Sequence, residues 1–348
     1  MREKINRREF LKKGSSAVIG AGFAPVLGTY SGISETAAAK VVEVKHPEVI
    51  QKYRLIDEKI AREMLRQGLK RLTGSDDPWR HFVKPEERIG LKINTLGRPI
   101  LFTHHGLIRA VVEELKEYGV KENHILIWDR FERHMEDCGF EFNTSGKSVR
   151  CYGTIALKNE TDRLDRETAY ASDCDNPDKR EDSGTKSFFS GIFTQECDKI
   201  INMPVLKDHR LSGITFCLKN LAFGLCENNS RFHGSGHIGP YIADFCALPS
   251  VREKTVLHIG DVLEACYDQG PRPRQLRALF SPRKIWLGRD PVAMDALGFQ
   301  AIETERRYKA LPSLEEENRP IDHISRAAKK GIGVGDLRRI KVEKILLG

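Results

Sequence analysis

Apolar residues recur along this chain in two alternating rhythms, short aliphatic runs and longer segments of helical period. That alternation is the first feature to predict a fold. In 57–72, DEKIAREMLRQGLKRL, the residues Ile60, Met64, Leu65, Leu69 and Leu72 fall on one face of a helix that Asp57 can cap and Gly74 can end. RIGLKIN (88–94) reads as a strand, 106–118 as a helix stopped by Gly119, and HILIWD (124–129) as the next strand. Residues 158–187 break the rhythm, being charged and nearly without apolar groups. They read as a loop or insertion, either a lid over a site or a solvated excursion. The alternation then resumes, with DKIIN (198–202) as a strand, 213–225 and 238–247 as helices, and VLHIGD (256–261) and KIWLGRD (284–290) as strands. Pro291 opens a helix with Asp290 as its cap, SRAAKKG is a short helix closed by Gly331, and VEKILL is the last strand. This order predicts an α/β fold, a mostly parallel sheet with helices on both faces, in one body or two lobes.

The first 39 residues follow a different pattern. Asn6-Arg7-Arg8-Glu9-Phe10-Leu11-Lys12 has the form of a twin-arginine export signal, Ser16 to Ile33 is an uncharged Gly/Ala-rich stretch, and Ala37-Ala38-Ala39 offers a small-residue cleavage site. The expectation is an exported, periplasmic or extracytoplasmic protein that meets the twin-arginine machinery as a partner and keeps no membrane span after cleavage. An uncleaved anchor is the other reading, although Pro25 and several glycines dilute the apolar run. Substrates of this route are exported folded, often with a cofactor already loaded. Six Lys/Arg and three Asp/Glu lie in this segment, so +3 of the formal +8 charge leaves with it. The remainder is mildly basic, without a Lys/Arg run interleaved with aromatics. That argues against nucleic acid and for a small anionic ligand.

Five strands are read as ending on a short polar side chain: Asn94, Asp129, Asn202, Asp261 and Asp290. Each alone is an ordinary turn or cap residue. Together, in a parallel sheet, they would line one crevice at the carboxyl edge. The stretch from Asn202 to Asn220, NMPVLKDHRLSGITFCLKN, joins such a strand end to an apolar helix. Lys92 sits inside a strand, where an unpaired charge is costly. Lys207 and His209 precede the helix, and Thr215, Lys219 and Asn220 are read as lying on it, with Thr215 and Lys219 sharing a face. Lys-Asp-His-Arg is equally readable as a solvated basic loop. His233 and His237, in HGSGH, would complete a three-nitrogen metal set with His209.

Eight cysteines show no C-x-x-C pair and no ferredoxin spacing, which disfavours an iron–sulfur cluster. Cys138 with Cys151, or Cys174 with Cys197, are the first candidates for disulfides. There is no G-x-S-x-G, Walker A or H-E-x-x-H motif.

INMPVLKDHRLSGITFCLKNLAFG resembles the signature of the family of unknown function numbered 362, whose members often carry twin-arginine signals. GLKIN, ILIWDR, the segment Asp261 to Pro271 and GRDPVAMDALG extend the resemblance over nearly all of the chain after residue 39. Some members of that family carry ferredoxin-type cysteines; this chain does not. A fainter similarity is to nickel-pincer enzymes of the lactate racemase type. There a strand-end histidine precedes a cofactor-tethering lysine by ten residues, as His209 precedes Lys219 here, with Gly213 between. In that likeness His134, Arg98-Pro99 and a histidine near His233 or His237 take corresponding places. Leu218 departs from it, standing where a basic residue precedes the lysine, and so does His134, which is displaced from the strand end. The likeness implies shared fold and allows a metal or organometallic cofactor. The expected function is that of an enzyme or cofactor-dependent protein acting on a small anionic ligand. His209, Lys219 and Lys207 would do the chemistry, and Lys92 and the polar strand ends would hold the ligand. A periplasmic binding protein without turnover is the alternative, and an assembly partner a third.

Overall fold

The computed structural model describes residues 38–157, 161–171, 186–234 and 236–348. The twin-arginine pattern and Cys174 lie outside them. Ala37–Gly348 form one compact unit, built on a sheet of eleven strands.

The sheet's parallel block sets the site. The sheet contains β1 (Ala39–Lys45), β2 (Ile89–Lys92), β3 (Ile125–Trp128) and β4 (Arg150–Cys151). After an antiparallel ribbon of β5 (Leu164–Tyr170) and β6 (Ser187–Ser190) come β7 (Lys199–Asn202), β8 (Val205–His209), β9 (Gly213–Thr215) and the long β10 (Thr255–Cys266). The chain then adds β11 (Leu279–Phe280), β12 (Lys284–Gly288) and β13 (Ile340–Leu346). The spatial order is β13-β1-β12-β10-β7-β2-β3-β4, with β8 and β11 also pairing β10. From β10 to β4 every neighbour is parallel. Lys92 therefore lies level with both Trp128 and Asn202, and Asn202 level with His258.

The helical rhythm of 57–72 is realised as read. Helix α1 (Glu58–Thr73) is capped by the Asp57 side chain, which accepts the Ile60 N–H at 3.0 Å, and ends at left-handed Gly74. It buries Ala61, Met64, Leu65 and Leu69. With α2 (His105–Tyr118) it covers one face of the sheet over Val42, Val44, Ile89, Leu91, Ile201 and Leu257. Strand period does the rest: Ile89 and Leu91 enter that core, so Gly90 and Lys92 turn to the other face. After the short α3 (Glu132–Glu136), that other face receives α4 (Cys217–Gly224), α5 (Ile238–Cys246), α6 (Pro249–Lys254), α7 (Pro291–Tyr308) and α8 (Asp322–Lys329).

Several expectations fail for tertiary reasons. β12 runs antiparallel to β10, so Asp290, after its end, sits at the opposite edge from the crevice. There it caps α7 through the N–H groups of Val292 and Ala293, and it also accepts from Val334. Asp261 does not end a strand, because β10 continues to Cys266. Thr215 closes β9 and is not on the helix, which starts at Cys217. The charged 158–187 segment is not all loop, since it supplies β5 and the start of β6. Cys138 and Cys151 are separate buried thiols and form no bridge.

Candidate functional site

Where β2, β3, β8 and β9 end, a cavity of about 770 Å³ opens against α4. It lies at the carboxyl edge of the parallel strands, where α/β sheets hold ligands. Lys92, Asn94, Asp129, His209, Thr215, Lys219, Asn220 and His233 line it, together with Arg98, Arg130, His134, Arg272 and Arg274. Lys207, Asn202, Asp261, Asp290 and His237 are not on its wall.

Two lysines on this wall are treated differently. Lys92 donates to Asp129 Oδ1 at 2.7 Å and to the Ile93 carbonyl at 2.7 Å. Asp129 also accepts the Thr95 N–H and hydroxyl and the Arg130 N–H, at 2.6–2.7 Å. Burial opposes its charge, but Lys92 and these donors hold the carboxylate below its usual range. The Lys92 stem lies against Gly224 of α4; a β-carbon there would stand 2.3 Å from its Cε, so glycine permits the close approach.

Lys219, in the first turn of α4, meets no carboxylate among the described residues. Its Nζ meets His209 Nε2, donates to Ser212 Oγ at 3.3 Å, and lies 5.0 Å from the centre of the Phe223 ring. Burial pushes its amine well below the ordinary lysine value. The turn after β8 folds back on the imidazole, so that His209 Nδ1 accepts the N–H groups of Leu211 and Ser212, both at 3.1 Å. Gly213 closes this turn at a φ of +65°, with Ile321 packed where a side chain would go. Burial lowers the His209 pKa well below the usual histidine value. His134 and His233 are each brought down to about 4, both chiefly by burial, with Arg98 as a second cause at His134.

A chain of amides holds α4 in place over the strand ends. Lys207 donates to Asn94 Oδ1 at 2.5 Å, Asn94 donates to Asn220 at 3.0 Å, Asn220 to Asn202 at 2.7 Å, and Asn202 to the Cys217 carbonyl at 3.0 Å. Lys207 thus lies beneath the wall, brought to about 8 by burial. Asp295 of α7 accepts the N–H groups of Cys217 and Leu218 at 2.6 and 3.3 Å, capping α4 from outside the segment. Asp261 is drawn away to His104, accepting its N–H and ring Nδ1, both at 2.8 Å.

The remaining wall is basic. Arg98, Arg130, Arg272 and Arg274 line it, while Asp129 is its carboxylate among the described residues. Arg98 pairs with Asp137 at 2.8 Å. Burial lowers the pKa of Arg130 and of Arg272, and neighbouring Arg98 lowers Arg272 further. Arg130 Nε and Thr215 Oγ1 are buried without a hydrogen-bond partner. Buried polar atoms of this kind are uncommon, and each costs stability unless a ligand or solvent meets it. In the sequence, Arg98 and His134 are tied to the site through resemblance alone, and Arg130, Arg272 and Arg274 are not marked as site residues. Arg130 directly follows a strand-end aspartate, which was the available signal. The Arg-Pro-Arg loop carries no periodicity that would mark it.

The three-histidine metal set does not assemble. His233 is on the wall, but His237 stands at the amino end of α5 and off the cavity. Among the described residues no three His, Cys, Asp or Glu converge to hold a metal. No helix there is long and apolar enough to cross a membrane.

The model of a domain of unknown function, DUF362, matches residues 89–300, more than half of the chain and all four site strands. No curated protein matches. A crystal structure of a Thermotoga maritima protein from a structural genomics consortium is similar at 10% identity and a TM-score of 0.41, covering 73% of this chain and 59% of that one.

Proposed function

The chain belongs to the DUF362 family, and we propose that its cavity is the catalytic site of an enzyme acting on a small anionic substrate. The carrying observation is the charge pattern of the wall. Four arginines face a cavity whose carboxylate is already engaged by Lys92. Arginine guanidinium groups match carboxylate and phosphate in shape and charge. The unpartnered Arg130 Nε and Thr215 hydroxyl add hydrogen-bonding positions that an oxygen-rich ligand satisfies. Catalysis is favoured over binding alone by the Lys219–His209 pair, because holding an anion has no use for a desolvated amine against an imidazole. The twin-arginine pattern supports export of the folded chain. Replacing Arg7 and Arg8 by lysine would then retain it in the cytoplasm on fractionation.

Small dianions such as oxalate and phosphate test the central reading through the rise they cause in melting temperature. Arg130→Gln and Arg272→Gln should each weaken the response about tenfold or more in apparent affinity, the size expected for a hydrogen bond to a charged group. A melting temperature indifferent to every small anion would overturn the proposal.

A further inference from the structure

We propose that Lys219 forms a covalent imine with a small anionic carbonyl compound, a 2-oxo acid or a phosphorylated aldehyde, seated in the cavity. The inference rests on the reading of this cavity as an anion-binding catalytic site, and it names the substrate class.

Hydrogen-bond geometry carries it. His209 Nδ1 accepts two backbone N–H groups, from Leu211 and Ser212, so Nδ1 presents a lone pair and holds no proton. A neutral imidazole must then carry its proton on Nε2. Nε2 faces Lys219 Nζ. An ammonium there would set proton against proton, whereas a neutral amine accepts the Nε2 proton with its lone pair. The rest of the surroundings agree. Among the described residues Lys219 meets a hydroxyl and an aromatic face but no carboxylate. Lys92, on the same wall, takes the carboxylate instead. An uncharged primary amine buried beside an anion site is a nucleophile toward carbonyl carbon.

The step balances without oxidant or reductant. Nζ attacks the carbonyl carbon, the C–N bond forms, and the π pair of C=O moves to oxygen. One amine proton reaches that oxygen to give the carbinolamine. The second follows it, the C–O bond breaks, water leaves, and a C=N bond remains. The arginines hold the substrate's carboxylate or phosphate. Thr215 Oγ1, unpartnered on the same wall, is available to the carbonyl oxygen. His209 is a positioning residue in this scheme: it keeps the amine uncharged and aimed.

Reductive trapping tests the inference on the full chain. Pyruvate, 2-oxoglutarate or glyceraldehyde 3-phosphate is added with sodium cyanoborohydride, and peptide mass spectrometry locates the reduced adduct. The expected result is a single adduct on Lys219 with at least one probe, favouring the oxo acids or the phosphate and so identifying the anion. Lys219→Met should abolish it. In His209→Ala the pH profile of trapping should move upward, with about tenfold less adduct at neutral pH for each pKa unit regained. Oxalate, which cannot form an imine, is measured in parallel by its effect on melting temperature, and this also shows that the variants fold. Oxalate stabilisation without an adduct on Lys219, or with adducts confined to other lysines, overturns the imine and leaves the anion site standing. Absence of both overturns the two readings together.

Discussion

Lys92 and Lys219 face the same cavity, one from the tip of a strand and one from the first turn of a helix, and both are buried. Lys92 is matched to Asp129, and that carboxylate has further donors from Thr95 and Arg130. The result is a closed ionic joint that ties β2 to the loop after β3. Lys219 is matched to an imidazole whose other nitrogen is already occupied by the backbone. Burial depresses both amines, but at Lys92 the Asp129 carboxylate works against it, whereas among the described residues no carboxylate does so at Lys219. A buried charge with its partner makes structure. On the proposed reading a buried amine without one is available for chemistry, and the fold tolerates it because a neutral amine costs far less to bury than an ammonium.

The sharpest way to break this comparison is to remove the carboxylate. Asp129→Ala should strand the Lys92 charge and cost about 3–5 kcal/mol in urea unfolding. An effect near zero would mean that Lys92 is not ionised either, and the contrast would vanish. Acid should act through the uncharged bases next. His134 and His233 have folded-state values of about 4 against an ordinary 6.5, so the unfolded chain takes up protons first. Stability present above pH 6.5 should therefore decline toward pH 4, read as a falling melting temperature. His104 has the opposite sign. Burial would lower it, but Asp261 and Glu264 prevail and raise it to about 9. Its contribution should be complete below pH 6.5 and fade as pH rises toward 9, and His104→Gln should flatten that alkaline limb.

Smaller effects sharpen the picture. Asp295→Ala removes the cap of α4 and should cost about 1–2 kcal/mol, with slower trapping at Lys219 as its helix loses anchorage. Lys219→Met should change unfolding stability least, by less than about 1 kcal/mol, because it swaps a neutral amine for an apolar group of similar length. A loss comparable to that of Asp129→Ala would show Lys219 to be a structural charge.

Much of the frame was legible in the chain. The helical face of 57–72, its Asp57 cap and Gly74 stop, and the strands around Leu91, Ile127 and Ile201 follow from local periodicity and local caps, which act over a few residues. The placement of Lys92 away from the aliphatic core follows from strand period alone. The juxtaposition of His209 and Lys219 was also anticipated, since both lie in one short segment. Direction, pairing and reach were not available in the same way. Asp290 looks like Asp129 in sequence, yet the antiparallel run of β12 sends it to the far edge of the sheet. Asp261 looks like a strand end, yet β10 continues and His104 takes its carboxylate. Asp295 and the Arg272–Arg274 loop reach the site from distant segments, and nothing local marks them. Propensity and period are short-range properties that the order of residues determines by itself. Which lysine meets a carboxylate and which meets an imidazole and a hydroxyl is decided by strand order and helix docking, because burial turns those pairings into charge states.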